Sequence, residues 1–480
     1  MAGAKSERRS AAEAAQSNKR ARVEENAVKD EVKVNLYTGF EVPVEGFQVE
    51  RISIHDITPE DFFKRYVATR TPVVLQGFIT DAKFTAPQKW TNEYLRETAG
   101  DESLKVEERS KVTEKFGRGV EVDMQFKDML RLIEEGDEMH YLTTQDVEAN
   151  EDGRPEIMAP FVAKLQEDFP LQPALLGNLV PQNINIWMGN NKDGSSSGLH
   201  HDYHDNLYIL LRGKKRFRLY SPADTEKMYT RGKLVKVHTN GRINYEGEET
   251  TAYGADPMSE AAALASIEKE DAERELALAE QAVEDGEEGA EARLAAAEDR
   301  LDKAMLSLLR ADRDEDDDEE EPEDGEFGPF HFEDEDGEDE DADDEEDAED
   351  AEDDAKKVDK TVKDPVNFSR IDTSLLKTPE SKEALLKEFP AFEEAKAAFC
   401  EINVGEMLFL PASWFHEVES FGSKDGHLAL NYWYHPPDQL DNFDLPYSSP
   451  FWPRDWEMRC NGVTAEDDDE VFDDFDEDDE

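Results

Sequence analysis

Three side chains in this 480-residue sequence have the types and spacing to hold a metal ion together. Two lie in Ser197–Tyr220, SGLHHDYHDNLYILLRGKKRFRLY. Read as a strand, this segment puts residues two apart on one face, so His200 and Asp202 stand side by side. The third is His416 in GEMLFLPASWFHEVES, an apolar run punctuated by Gly and Pro that reads as strand, turn, strand. Two imidazoles and one carboxylate suit a non-haem ferrous ion and leave coordination positions open for chemistry. On the same reading His201 falls on the opposite face, and Asp205 is a further acid that competes for the role. His204 falls on the metal face two positions along, which places it beside a substrate or behind the ligands. His238, His331, His427 and His435 read as ordinary histidines.

A fourth residue belongs with them. In Lys214–Tyr220, alternation groups Lys215 with Phe217 and Leu219, while Lys214, Arg216 and Arg218 form the solvated face. An ammonium on an apolar face is costly to bury without a partner, so Lys215 calls for a carboxylate. A keto-acid co-substrate entering beside a metal would supply one.

Short strands must position these groups. Pro72–Leu75, Met139–Thr143, Val180–Gly189, Leu207–Leu211, Lys215–Tyr220, Phe399–Asn403, Met407–Leu410 and His427–His435 all carry strand patterning between Gly/Pro/Ser turns. Tyr141, in the second of these, reads as a core or edge aromatic. Helical spacing marks Trp90 to about Thr98 and Phe126–Glu135, and Thr58-Pro59-Glu60-Asp61 looks like a helix start. The pattern predicts a mainly β fold, an antiparallel barrel or jelly roll with flanking helices.

Composition divides the chain into an N-terminal arm (1–34), a first β-rich part (35–242), an insertion (243–365), a second β-rich part (366–455) and an acidic tail (456–480). Within the insertion, Ser259–Arg310 is rich in Ala, Glu and Leu, and residues 285–289 divide it into two helices. His416 follows His200 by 216 positions; leaving out the insertion reduces this to about 93, a plausible separation within one small barrel.

The formal net charge is -64, and two runs carry much of it: Asp312–Asp354 has 30 acids and one base, Glu466–Glu480 has 12 acids and no base. Such blocks self-repel, stay disordered and serve as interaction tails. They repel nucleic acid and anionic membranes, which argues against direct nucleic-acid binding and favours basic protein partners such as histone tails or ribosomal proteins. Two cysteines, Cys400 and Cys460, imply no disulfide framework and fit a reducing compartment. No apolar run approaches the ~20 residues that span a bilayer. The basic cluster Asn18–Val23 reads as a nuclear import signal, so nucleus and/or cytoplasm is the expected location.

On these residues the chain resembles the JmjC (cupin-like) Fe(II)- and 2-oxoglutarate-dependent oxygenases, in particular the JmjC-only hydroxylase branch. The likeness spans roughly 45–240 and 366–440 and is most specific in HHDYHDNLYILLRGKKRFRLYSP, GEMLFLPASWFHEVES and LALNYWYH. It implies a double-stranded β-helix in which His200, Asp202 and His416 hold iron. It further implies that Lys215 takes the distal carboxylate of 2-oxoglutarate, helped by Ser197 and Tyr141, with Asn206 and Asn431 lining the site. Ser197 stands where the asparaginyl hydroxylase of this branch has threonine, which keeps the hydroxyl. The acidic insertion lies outside the family's minimal pattern, and no Cys/His cluster of a zinc-finger reader accompanies it. The expected function is hydroxylation of a protein side chain, with histone demethylation through an N-methyl group and a non-catalytic acidic histone-binding scaffold as alternatives. An RNA-modifying hydroxylase is weakened by the net charge.

Overall fold

The structure is a computed structural model that describes residues 34–111, 119–145, 147, 156–316 and 365–461. The basic cluster, His331, most of the acidic run and the tail beyond Asn461 lie outside the described residues. The chain forms two compact units, one of residues up to Tyr253 together with Asn367–Ser448, the other of Gly254–Val366 and the residues from Ser449.

The first unit is built of strands. Its N-terminal half supplies β1 (Phe47–Gln48), β2 (Glu50–Ser53), β3 (Val73–Gln76), β4 (Ser103–Glu108), β5 (Val120–Gln125), β6 (His140–Leu142), β7 (Pro181–Gly189) and β8 (Ser195–Ser196). Next come β9 (Asp205–Arg212), β10 (Lys214–Tyr220), β11 (Leu234–Val237) and β12 (Ile243–Tyr245). After the second unit the chain returns with β13 (Ala398–Asn403), β14 (Glu406–Leu410), β15 (Phe415–Phe421) and β16 (His427–Tyr434). The major sheet runs β2-β3-β14-β9-β16-β7-β6-β4-β5 and the minor sheet β1-β13-β10-β15-β8, with β11 and β12 paired separately. Pairing is antiparallel except for β1 with β13 and β2 with β3. This is the cupin-type jelly roll expected from the strand pattern, with flanking helices.

Burial explains why each strand sits where it does. β9 is covered on both faces, as its unbroken apolar run Leu207–Leu211 requires. β10 alternates: Lys215, Phe217 and Leu219 face inward, while Lys214 and Arg216 pair with Glu401 and Arg218 with Glu417 on the outside. The two sheets meet over Tyr208, Leu210, Leu408, Leu410 and Ala429 from one side and Phe217, Leu219, Cys400 and Ile402 from the other. Gly213, at φ 81°, makes the tight β9–β10 turn, and Phe126–Glu135 ends on Gly136 in the same left-handed region.

One expectation needs correction. The segment from Leu199 to His204 is not a strand: β9 starts only at Asp205. His200 makes isolated antiparallel bridges to His416 and to Phe368, after which the Asp202 carbonyl accepts a hydrogen bond from Ser413 N. The chain is captured there by the turn before β15, and its pairing with residues 367–369 on the other edge ends at His201.

The second unit contains helices Pro257–Glu284 and Ala290–Asp316, joined through Gly286 and Gly289 at positive φ, and helix Phe451–Asn461. The last of these occupies the start of the segment read from sequence as an acidic tail. The long helices bury alanines seven apart, Ala265, Ala272 and Ala279 on one and Ala290, Ala297 and Ala304 on the other. Arg300 reaches across to Glu268 and Glu275. Leu278, Met305, Leu306 and Leu309 are exposed and Leu276, Leu294, Leu301 and Leu308 half-buried, so the fully buried line of the seam is made of small residues. No helix among the described residues is long and apolar enough to cross a membrane.

Candidate metal centre and its cavity

His200 and His416 are cross-strand neighbours. His200 N–H donates to the His416 carbonyl at 3.1 Å and His416 N–H returns the bond at 2.6 Å. Directly opposed residues in an antiparallel pair project to the same side, and the two imidazole centroids are 4.4 Å apart. Asp202, on the turn that follows, completes the group, with its oxygens 3.9 Å from His200 Nε2 and 3.7 Å from His416 Nε2. The ligating atoms all lie within 4.8 Å of one another, the only such trio among the described residues.

Backbone carbonyls set the ring orientations. The Nδ1 of His200 donates to Gly198 O at 3.1 Å and that of His416 to Trp414 O at 2.9 Å, which leaves both Nε2 atoms free toward Asp202. Burial, helped by the nearby His416, pushes His200 down to about 4, so it is the neutral ligand form at neutral pH. Two imidazoles and a carboxylate fit a ferrous ion, and three protein donors leave positions for other ligands.

The turn that delivers His416 is pinned from below. Asp205 accepts from Ala412 N at 2.8 Å and is paired through both oxygens with Arg70, both residues being fully buried. Ser413 holds φ 60°, and its Oγ accepts from Ile243 N. Asp205 is therefore committed to Arg70 and the turn, not to a metal. His201 faces away and bonds Tyr245 Oη through Nε2 at 2.9 Å. His204 lies against Trp433, with centroids 5.9 Å apart, and near His435. His238, His427 and His435 are buried outside the trio.

A cavity of about 80 Å³ extends from the trio into the space between the sheets. Tyr141, Ser197, Asn206 and Lys215 line it, as do Trp187, Tyr208 and Ser420. Lys215 is 1% exposed. Its Nζ donates to Ser420 Oγ at 2.5 Å and lies 5.7 and 5.8 Å from the ring centres of Tyr141 and Tyr208. No carboxylate among the described residues pairs with it, and burial pushes it down to about 7. Tyr141 is buried as well, which raises its phenol well above the ordinary value. Ser197 Oγ is engaged at the backbone, donating to Gly198 O and accepting from Val418 N. Asn431 differs from the expectation: it does not line the cavity but donates to Asn206 Oδ1 at 3.3 Å and accepts from Trp187 Nε1 at 2.7 Å. Its register opposite Tyr208 sets it behind Asn206, which it orients.

Ser420, Tyr208, Trp187 and Phe368 were not singled out from sequence. Ser420 is the register partner of Lys215, a relation that exists only once β10 and β15 are aligned. Phe368 stacks on His200 at 4.8 Å and 13°, and no pattern in NFSRI marks it.

Comparison with known proteins agrees with this geometry. The family model "Cupin-like domain" matches residues 59–440. JmjC domain-containing protein 4 of Schizosaccharomyces pombe is 33% identical over 439 residues, covering 86% of this chain and 90% of that protein. The bifunctional peptidase and (3S)-lysyl hydroxylase JMJD7 of Homo sapiens is 40% identical over 63 residues, 13% of this chain and 17% of its own. Lysine-specific demethylase 8 of Danio rerio is 28% identical over 206 residues, 42% and 47% respectively. With its jelly roll, its His-Asp-His trio and a match across most of its length, the chain belongs to the cupin-like family of JmjC-domain proteins.

Proposed function

We propose that the protein is an Fe(II)- and 2-oxoglutarate-dependent dioxygenase that hydroxylates a protein side chain. The observation that carries this reading is the buried Lys215 ammonium, which shares one cavity with His200, Asp202 and His416 and has no carboxylate partner among the described residues. A buried cation without an anion is destabilising, and a dicarboxylate with one end at Lys215 and the other at the trio removes that cost.

In this reading His200, Asp202 and His416 hold iron, while Lys215 and Ser420 bind the distal carboxylate of 2-oxoglutarate below Tyr141. Ferrous iron with 2-oxoglutarate and O2 supplies the oxidation of a C–H bond to C–OH, releasing succinate and CO2. The chain's own residues perform the positioning. Asn431 holds the Asn206 amide toward the cavity, and Trp187, Tyr208, Leu408 and Leu410 keep water from the co-substrate. His204 and Trp433 stand stacked beside the trio's loop as substrate-side residues. The acidic runs favour a basic protein substrate, of histone or ribosomal and translation-related kind, in the nucleus and/or cytoplasm. The lysyl hydroxylase and demethylase names of two relatives support protein lysine chemistry.

The test is succinate release from 2-oxoglutarate with Fe(II) and ascorbate, in the presence of pooled histone and ribosomal-protein peptides. Wild type turns over, and His200→Ala and Lys215→Ala do not. Mass spectrometry of the responding peptide reads hydroxylation as a gained oxygen and demethylation as a lost methylene. If wild type neither turns over nor binds 2-oxoglutarate with metal present, the enzyme reading fails and a non-catalytic acidic scaffold replaces it.

A further inference from the structure

Phe368 lies against the first metal ligand, and nothing in the proposed chemistry uses it. Its ring is parallel to the His200 imidazole, with centroids 4.8 Å apart and an interplanar angle of 13°. On the other side of His200 is His416, at 4.4 Å. Both contacts arise from the backbone, because His200 forms antiparallel bridges to Phe368 and to His416. His200 is thus the middle member of a three-residue rung, and its imidazole is flanked on both sides.

The segment carrying Phe368 is itself held along both edges. Toward the metal loop, Ser369 N donates to Leu199 O at 2.9 Å, His201 N to Asn367 O at 3.3 Å and Asn367 Nδ2 to His201 O at 2.5 Å. On the far edge, Arg231 N donates to Phe368 O at 2.9 Å, Arg370 N to Tyr229 O at 3.0 Å and Ser369 Oγ to Met228 O at 2.5 Å. Residues 367–370 therefore form a strap across the metal loop, and the phenyl ring has little freedom to leave its place.

We infer that Phe368 is a positioning residue for the metal centre, a fixed aromatic wall that holds the His200 ring in its ligating orientation. The inference rests on the reading of His200, Asp202 and His416 as metal ligands. The Nδ1 hydrogen bond to Gly198 restrains χ2 of His200 through one edge of the ring, and packing against its faces supplies the rest of the restraint. Phe368 blocks rotation about χ2 from one face, as His416 does from the other. It also removes one face of the imidazole from water. Residues that orient metal ligands without touching the metal matter to affinity by roughly 10- to 100-fold.

The test uses the full chain and Mn(II) as probe, with affinity read by chelator competition and site symmetry by the Mn(II) electron paramagnetic resonance spectrum. Wild type binds and His200→Ala does not, which establishes the ligand reading separately. Phe368→Ala is expected to weaken Mn(II) roughly tenfold and broaden the spectrum, while Phe368→Tyr, which keeps the stacked ring, stays within about twofold of wild type. Phe368→Leu keeps the bulk and guards against a folding defect in the alanine variant; the metal-free melting temperatures of all three are compared. Alanine and leucine variants that bind Mn(II) as wild type does, with an unchanged spectrum, overturn the inference and leave Phe368 as a covering residue. Absence of Mn(II) binding by wild type overturns it together with the metal-site reading.

Discussion

Lys215 Nζ donates to Ser420 Oγ at 2.5 Å, and the two residues are register partners across β10 and β15. That hydroxyl is the polar partner of an ammonium otherwise packed beside the rings of Tyr141 and Tyr208. The arrangement makes the ligand-free protein sensitive to pH. Burial lowers Lys215 from 10.5 to about 7, so between these values the unfolded chain keeps a proton that the folded chain has released. Stability of the ligand-free protein therefore rises as pH increases from 7 toward 10.5, by at most about 1.4 kcal/mol per pH unit from this group. Lys215→Met removes the slope and stabilises the ligand-free fold below pH 7. Denaturant titrations at pH 6.5, 7.5 and 9 measure both effects, and equal slopes in the two proteins contradict the assignment.

The same lysine sets the pH dependence of co-substrate binding. A dicarboxylate prefers the charged ammonium, so 2-oxoglutarate affinity is highest below about pH 7 and falls above it, up to tenfold per unit. Binding takes up a proton in that range. Calorimetry with Mn(II) in two buffers of different ionisation enthalpy reads the uptake directly. Lys215→Met binds at least 100-fold more weakly, without the pH trend.

Divalent metal should raise the melting temperature, because it binds the folded trio and not the unfolded chain. A shift of several degrees with excess Mn(II) in wild type, and none in His200→Ala, Asp202→Ala or His416→Ala, is the expected result. A chelator reverses it.

Arg70 and Asp205 form a fully buried pair beneath the turn that presents His416. Removing the cation leaves an uncompensated carboxylate, so Arg70→Met costs about 3–5 kcal/mol. Arg70→Met with Asp205→Asn recovers part of the loss, since the asparagine carries no charge and still accepts from Ala412 N. Equilibrium unfolding of the single and double variants measures the recovery.

In the helical unit, Ala272 and Ala297 are fully buried in the alanine seam. Leucine at either position forces the helices apart and costs about 1–3 kcal/mol there. Limited proteolysis maps the effect: cleavage within residues 254–316 accelerates while the fragments of the jelly roll stay intact.

Several parts of this architecture were legible in the linear chain because they follow from local chemistry. The alternation that turns Lys215 inward and Lys214, Arg216 and Arg218 outward depends only on the period of a strand, and the structure has that burial. The jelly roll follows from short strands between turn residues. The joint at 285–289 follows from Gly286 and Gly289, which end one helix and begin another. The seam between those helices did not follow, because the apolar positions are scattered along both and the fully buried ones are alanines seven apart.

The sequence by itself determined which residues bear the chemistry: two histidines and an aspartate with ligand character, and a lysine that an apolar face had to bury. Tertiary structure decided how they meet. His200 and Asp202 come together on a turn and not along a strand, because isolated bridges from His200 to His416 and Phe368 capture the chain before β9 begins. Asp205 is withdrawn from the ligand set by Arg70, 135 positions earlier. Ser420 reaches Lys215, and Phe368 reaches His200, through strand register and chain return across 205 and 168 positions. Side-chain type and strand period are properties of a few adjacent residues. Register and long-range pairing are set by the whole packed core, and no local stretch contains them.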